Sequence, residues 1–279
     1  MMEHFDVRAY QTVAQTRWLG QPLFYQAQVG STNHELKKLS EDTAVPPGAL
    51  FITDYQTQGR GRFDRRWEAP PASSLLFSLL LRPDWPGEQN GWLTMIASLA
   101  VAEAIEVQTG LAARIKWPND VVLPVDGSWR KVCGILLEGD MTADGRCRQA
   151  ILGIGINVNI PAAVLPAGIT PATSLWAALG RPVSRLTLLL DVLVRLEDLL
   201  DAALDGGSPQ PAWQNQLMLL GQSITVTYAD SGAQLVGTAV GVDEWGHLLV
   251  RTVDGRQHTI LAADVTLRAP GFAGHKANQ

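Results

Sequence analysis

Residues 114–159 read RIKWPNDVVLPVDGSWRKVCGILLEGDMTADGRCRQAILGIGINVN, and the spacing within this stretch decides the fold class. Arg114–Trp117, Val132–Glu138 and Gln149–Val158 read as strands from their apolar runs. Asp126-Gly127 and Asp144-Gly145 fall where tight turns join neighbouring strands antiparallel. Working outward, Leu50–Thr53 and Ser74–Leu81 add two more strands. Thr32 and Glu35 have capping-box spacing and open one helix, and Trp92–Gln108, closed by Gly110, forms another. This mixture predicts an α+β domain on a mixed, mostly antiparallel sheet.

A different pattern begins after residue 200. Leu186, Leu189, Leu190, Leu193, Leu196 and Leu200 recur at three and four residues and share one helical face. Gly206 and Gly207 stop that helix; Pro209 and Pro211 open a second one that runs to about Gly221. Ile224–Tyr228, Leu235–Val242, Leu248–Val253 and His258–Leu261 then read as short strands, with Asp230-Ser231-Gly232 and Asp254-Gly255 as turns. They predict a small C-terminal SH3-like β-barrel, and a division into residues 1–220 and 221–279.

Composition sets bounds on function. The 279 residues are 46% hydrophobic, enough for a large core, and the net charge of −5 supplies no basic field for nucleic acid or anionic lipid. Between Gly221 and Pro270 three arginines face five acidic residues, so the barrel lacks a nucleic-acid-binding face. Gln149–Gly180 has no charged residue, but Pro161, Pro166 and Pro171 argue against a membrane helix. Met1–Tyr10 has no secretory pattern, and Cys133 and Cys147 have no metal-ligand companions. The expectation is a soluble, cytoplasmic protein with reduced thiols.

Five segments carry chemistry. Gln56–Trp67 crowds four arginines, two glycines and a tryptophan into one loop, which suits phosphate or carboxylate and a stacked ring. Because like charges repel and glycine buries nothing, that loop is expected not to pack on itself and to close only over anions. Lys116-Trp117-Pro118-Asn119-Asp120 puts a cation, an amide and a carboxylate together. Lys131–Glu138 starts a strand with a lysine and admits a close backbone approach at Gly134. Gly153–Asn159 carries two glycines and two asparagines on an apolar strand, and Ser31-Thr32-Asn33 sits at a helix start. Taken singly, each also reads as ordinary structure: a solvated loop, a turn, a strand end or a helix cap.

In this order, Gly30-Ser31-Thr32-Asn33, Gln58-Gly59-Arg60-Gly61-Arg62, Lys116–Asp120, Lys131–Glu138 and Gly153–Asn159 resemble the biotin protein ligase family from about residue 25 to the end. The resemblance implies the class II synthetase-like biotin/lipoate ligase fold. It also implies activation of biotin by ATP and Mg2+ to biotinyl-5′-AMP, then transfer to a lysine of a biotin carboxyl carrier domain of acetyl-CoA carboxylase or a related carboxylase. By the same resemblance Ser31, Thr32, Asn33, Gln56, Gly59, Arg60, Arg62 and Gly134 would bind biotin. Arg60, Arg62, Trp67, Lys116, Asn119, Asn157 and Arg268 would bind ATP. Lys131, which also touches biotin, would act in catalysis with Arg62, Lys116 and Asp120, and Asp120 would hold magnesium.

Phe63-Asp64 stands where relatives have X-Gly, so a left-handed backbone would fall on a residue that adopts it at some cost. The stretch before Ser31 is too short for a DNA-binding winged helix, which predicts a monofunctional ligase that binds neither nucleic acid nor membrane. The sequence leaves the oligomeric state open, a homodimer included. Two rival readings are a lipoate or octanoate protein ligase of the same fold and a non-catalytic biotin- or nucleotide-binding protein.

Overall fold

The computed structural model describes residues 4–42, 44–63, 65–165, 171–229 and 231–267. Asp64, Asp230 and Arg268, which the sequence singles out, lie outside the described residues.

A seven-stranded sheet forms the larger layer. Its strands are β1 (Leu23–Val29), β2 (Leu50–Gln56), β3 (Ser74–Leu81), β4 (Arg114–Lys116), β5 (Asp120–Val125), β6 (Ser128–Met141) and β7 (Cys147–Asn157), in the order β1-β2-β3-β7-β6-β5-β4. β1 and β2 pair parallel, and the other pairs are antiparallel. The Asp126-Gly127 turn closes the β5–β6 hairpin with both residues at positive φ, which is why two residues suffice. Strand β3, SLLFSLLL, is buried along its whole length because it lies inside the sheet with both faces covered.

Alternation splits the sheet into two unlike faces. Leu50, Ile52, Leu75, Phe77, Leu79, Leu152, Ile154 and Ile156 share one hydrophobic cluster with helices α3 (Asn90–Thr109) and α5 (Arg185–Leu204). On the opposite face Phe51, Leu80 and Ile151 pack with Leu36 of α2 (Thr32–Leu39). α2 leaves the rest of that face for the site described below.

Helix α3 is apolar nearly all round because α5, α6 (Gln210–Gln216) and the sheet surround it. Gly110 ends it in the left-handed conformation, as expected. The leucine stripe of α5 is buried, with Leu186 and Leu190 at its edge. α6 is shorter than its sequence suggests: it stops at Gln216, and Leu217 bridges Ile115 at the sheet edge. β1, β5 and the short helices α1 (Val7–Val13) and α4 (Leu175–Leu179) are absent from the sequence reading.

The C-terminal sheet has five antiparallel strands: β8 (Ser223–Thr227), β9 (Gln234–Val242), β10 (Leu248–Arg251), β11 (Gln257–Ile260) and β12 (Asp264–Leu267). Their order is β11-β10-β9-β8-β12, and β12 was not expected. Tryptophans attach this sheet to the larger one. Trp92 Nε1 donates to the Glu244 carbonyl at 2.8 Å, Trp117 Nε1 donates to that of Gly246 at 2.8 Å, and Trp245 stacks on Trp92. Trp85 meets Trp92 edge-on. Both cysteines are free and buried, and burial pushes the Cys133 thiol far up, so neither is a reactive thiolate. Among the described residues no helix is long and apolar enough to cross a membrane.

Glu197 interrupts the apolar face of α5, where it is 2% exposed. Its carboxylate accepts from the backbone N–H groups of Arg17, Trp18 and Leu19, each at 2.8 Å, and so anchors the segment leading into β1. Glu197→Gln, which turns two hydrogens toward those donors, should lower stability by about 2–3 kcal/mol in denaturant unfolding.

Candidate functional site

The cleft begins with missing side chains. Gly155 pairs with Gly134, and Gly153 sits between Leu136 and Ser78, all across β3, β7 and β6. A Cβ on Gly134 or Gly155 would lie 2.8 or 2.7 Å from the Trp67 ring, and one on Gly153 would lie 2.2 Å from Asn33 Oδ1. The three glycines therefore hollow out the face that α2 does not cover.

Helix α2 closes one end of the hollow. Ser31 is its N-cap, but its hydroxyl makes no capping bond, and Thr32 is the first helical residue, so the capping box expected from Thr32 and Glu35 does not form. The Thr32 N–H instead donates to Gln56 Oε1 at 2.8 Å, and Thr32 Oγ1 lies 3.1 Å from that oxygen. Ser78 Oγ lies 2.7 Å from Thr32 Oγ1 and 2.6 Å from Asn33 Oδ1. Asn33 Nδ2 donates to Glu138 Oε2 at 2.6 Å. This end is a polar pocket at a helix N-terminus.

The other end is cationic. Cross-strand register brings Lys116 opposite Asp120, and Asp120 opposite Gly134. Lys131 is not the first residue of its strand, as its sequence suggests. β6 starts at Ser128, and a bulge opposite Val121 and Val122 turns Lys131 onto the cleft side with Gly134. Its Nζ lies 2.6 Å from Asp120 Oδ1 and 5.5 Å from the Trp67 ring centroid. Burial holds Lys116 below the ordinary lysine value, opposed by the charge of Asp120 and reinforced by that of Lys131. Burial likewise lowers Arg62, with Asp264 and Asp120 opposing. Six cationic side chains line the cleft against three acidic ones, so it favours anions.

Contrary to expectation, the arginine-rich loop does pack. Gly61 N–H donates to the Arg65 carbonyl and Trp67 N–H to that of Gly59, which makes a tight hairpin. Arg60 pairs with Glu138, Arg62 NH1 lies 3.4 Å from Asn119 Oδ1, and Arg65 makes a two-pronged pair with Asp264 at the start of β12. Phe63, at φ 55°, stacks under Arg62 and Arg65. The acceptors come from β6, the β4–β5 turn and the C-terminal sheet, which local sequence does not reveal. Gly59 also differs from expectation, because the backbone it admits is that of Trp67.

Ser31, Thr32, Asn33, Gln56, Arg60, Arg62, Trp67, Lys116, Asn119, Asp120, Lys131, Gly134 and Asn157 all line this one cleft, whereas Gly59 lines a neighbouring hollow. Asn157 Nδ2 donates to the Thr173 carbonyl, and its Oδ1 is buried with no donor among the described residues. The sequence reading missed Ser78, Glu138 and Asp264. Ser78, a hydroxyl inside the apolar run of β3, was the available signal. Among the described residues no group of three His, Cys, Asp or Glu could hold a metal ion. Asp120 offers a carboxylate oxygen in the cationic end, a donor set that fits magnesium arriving with phosphates rather than a protein cage.

Two substitutions test this geometry. Gly153→Ala should displace Asn33 and cost about 1–3 kcal/mol of stability in denaturant unfolding. Lys116→Met should make the protein more stable than its parent at neutral pH. With its folded value depressed, Lys116 binds fewer protons folded than unfolded. The parent therefore gains stability as pH rises toward the ordinary lysine value of 10.5, and the gap between the two proteins should narrow, as read by thermal melts across that range.

Two family models match. The Biotin/lipoate A/B protein ligase family model covers residues 25–157, and the Biotin protein ligase C terminal domain model covers residues 219–268. The chain is 34% identical over 255 residues to the bifunctional ligase/repressor BirA of Bacillus spizizenii, covering 90% of this chain and 76% of the relative. It is also 34% identical over 247 residues to the biotin–[acetyl-CoA-carboxylase] ligase of Paracoccus denitrificans, covering 86% of this chain and 98% of that one. The structure of the Aquifex aeolicus biotin protein ligase in complex with biotin and ATP superposes with a TM-score of 0.71 at 30% identity, covering 90% of this chain and all of that one. Five ordered motifs gathered into one cleft, on a fold shared with these relatives, have one reading: the chain belongs to the biotin protein ligase family.

Proposed function

We propose that this chain is a biotin–[biotin carboxyl carrier protein] ligase that joins biotin to ATP and passes the biotinyl group to a carrier lysine. The observation that carries the reading is the two-ended cleft, with a polar pocket at the start of α2 and a cationic end around Lys116 and Lys131, joined by a glycine floor. The ureido head of biotin fits the polar pocket, where Ser31, Thr32, Asn33 and Gln56 gather. The flat floor at Gly134 and Gly155, on which the Trp67 ring rests in the ligand-free protein, accepts its apolar body once that ring moves aside, and the carboxylate then points toward Lys131.

In the first step a carboxylate oxygen attacks the α-phosphorus of ATP. A new O–P bond forms, the α–β bridging bond breaks, and pyrophosphate leaves. Two anions meet and further negative charge gathers on phosphorus, so fixed cations at the point of attack supply the catalysis. Lys131, oriented by Asp120 at 2.6 Å, serves the carboxylate and the α-phosphate. Lys116 and Arg62, partly stripped of water, serve the phosphates without further desolvation. Trp67, Asn119 and Asn157 provide the ring and polar contacts for the nucleoside. Magnesium held by Asp120 and the phosphates would add neutralising charge. In the second step the neutral amine of a carrier lysine attacks the acyl carbon, an amide forms, AMP departs, and a proton is released.

Residues 1–220 are read as the catalytic unit and 221–279 as a barrel that bounds the cleft through Asp264. The carrier is a biotin carboxyl carrier domain of a carboxylase, and dependence on ATP suits a cytoplasmic setting.

ATP–pyrophosphate exchange tests the reading. Exchange should depend on biotin and not on lipoate, and labelled biotin should appear on a purified carrier domain. Lys131→Ala should slow biotinyl-AMP formation about 10²–10³-fold, the usual loss for one oxyanion donor, with an unchanged melting profile. Near-normal pyrophosphate release by that variant would remove Lys131 from the chemistry.

A further inference from the structure

Glu138 neither lines the cleft nor reaches the cationic end, yet one of its oxygens holds two of the cleft's side chains. Oε2 accepts from Asn33 Nδ2 at 2.6 Å and from Arg60 NH2 at 3.0 Å. A carboxylate only accepts, so the Asn33 atom facing it must be the NH2 and the Asn33 carbonyl must face Ser78. An amide oxygen also only accepts, so Ser78 gives its single proton to Asn33 across 2.6 Å. The 2.7 Å contact between Ser78 and Thr32 then needs Thr32 as donor. The Thr32 proton is thereby committed, and lone pairs on Thr32 Oγ1 and Gln56 Oε1 stand 3.1 Å apart with no hydrogen between them. That arrangement asks for an N–H from a ligand.

We propose that Glu138 is a positioning residue for the head pocket: through Asn33 and Ser78 it sets the direction of the hydrogen-bond chain, so that Thr32 and Gln56 present acceptors to a ureido N–H. The same oxygen docks Arg60, so the arginine loop and the head pocket share one anchor. This rests on the biotin reading above. A neutral amide at 138 would leave only the longer bond from Asn33 Nδ2 to the Leu136 carbonyl, at 3.5 Å, to hold this direction, and so would admit the reversed chain, with Thr32 donating into the pocket and repelling the ureido hydrogen.

The test uses the full chain and steady-state pyrophosphate release. Glu138→Gln should raise the KM for biotin about tenfold, the loss of roughly one charge-assisted hydrogen bond, with kcat within about twofold of the parent and a smaller rise in the KM for ATP, because Arg60 loses the same partner. In a Thr32→Val background, which removes the end of the chain, the same substitution should add less than about twofold. Glu138→Asp, which keeps an acceptor-only group, should bind biotin more tightly than Glu138→Gln. Three results would overturn the role: an unmoved biotin KM, equal effects in both backgrounds, or Gln binding biotin better than Asp. A parent that makes no biotinyl-AMP would instead overturn the biotin reading itself, whereas an active parent with unmoved variants removes only Glu138.

Discussion

The site depends on a sheet face from which side chains have been removed. Gly134, Gly153 and Gly155 lie on adjacent strands of one sheet, and a methyl group on any of them would enter a space now held by Trp67 or Asn33. An ordinary sheet face would be filled there by branched residues and covered by a helix. Here α2 covers only the part marked by Phe51, Leu80 and Ile151, and the remainder stays concave. The polar pocket and the cation cluster meet because the floor between them is bare backbone. The opposite face bears the stabilising load, through the continuous packing of β3 and β7 on α3 and α5.

The electrostatics follow from that hollow. Cations gathered at a partly dry site repel one another and lose hydration, so the ligand-free protein must hold them with acids. Asp120 holds Lys131, Glu138 holds Arg60, and Asp264 holds Arg65. Each acid sits on a different structural element, so the fold itself spaces the charges. Burial lowers Lys116 and Arg62, which means the protein keeps a cost that an arriving anion relieves. A cleft that binds polyanions is thus also a place where the free fold is less stable than it could be.

Asp264 ties this arrangement to the C-terminal sheet. The sheet is fastened by indole hydrogen bonds to Glu244 and Gly246 carbonyls and by the Trp92–Trp245 stack. Tryptophan suits such a junction, because its ring buries a large area while its N–H satisfies a carbonyl that the contact removes from water. The junction uses Trp92 directly and Trp85 through its edge-on contact with Trp92.

What the sequence determined by itself was local. Hairpin turns such as Asp126-Gly127, the leucine stripe of α5 and the Gly110 stop could be read because turn chemistry and hydrophobic period act over a few residues. The ordered motifs named the family for the same reason, each being short and contiguous. Other features needed the tertiary structure. The bulge that turns Lys131 into the cleft is a mismatch between two strands, and neither strand alone encodes it. The acceptors of the loop arginines lie up to 199 residues away, so the loop read as unable to pack when it is in fact held. Glu138 closes the Lys131–Glu138 segment, and nothing in that segment reveals that the fold brings Asn33 and Arg60 to its one oxygen. Local pattern marks the elements with a strong period or turn, whereas the short strands β1, β5 and β12, the direction of a hydrogen bond and the pairing of a charge are decided only when distant strands share a register.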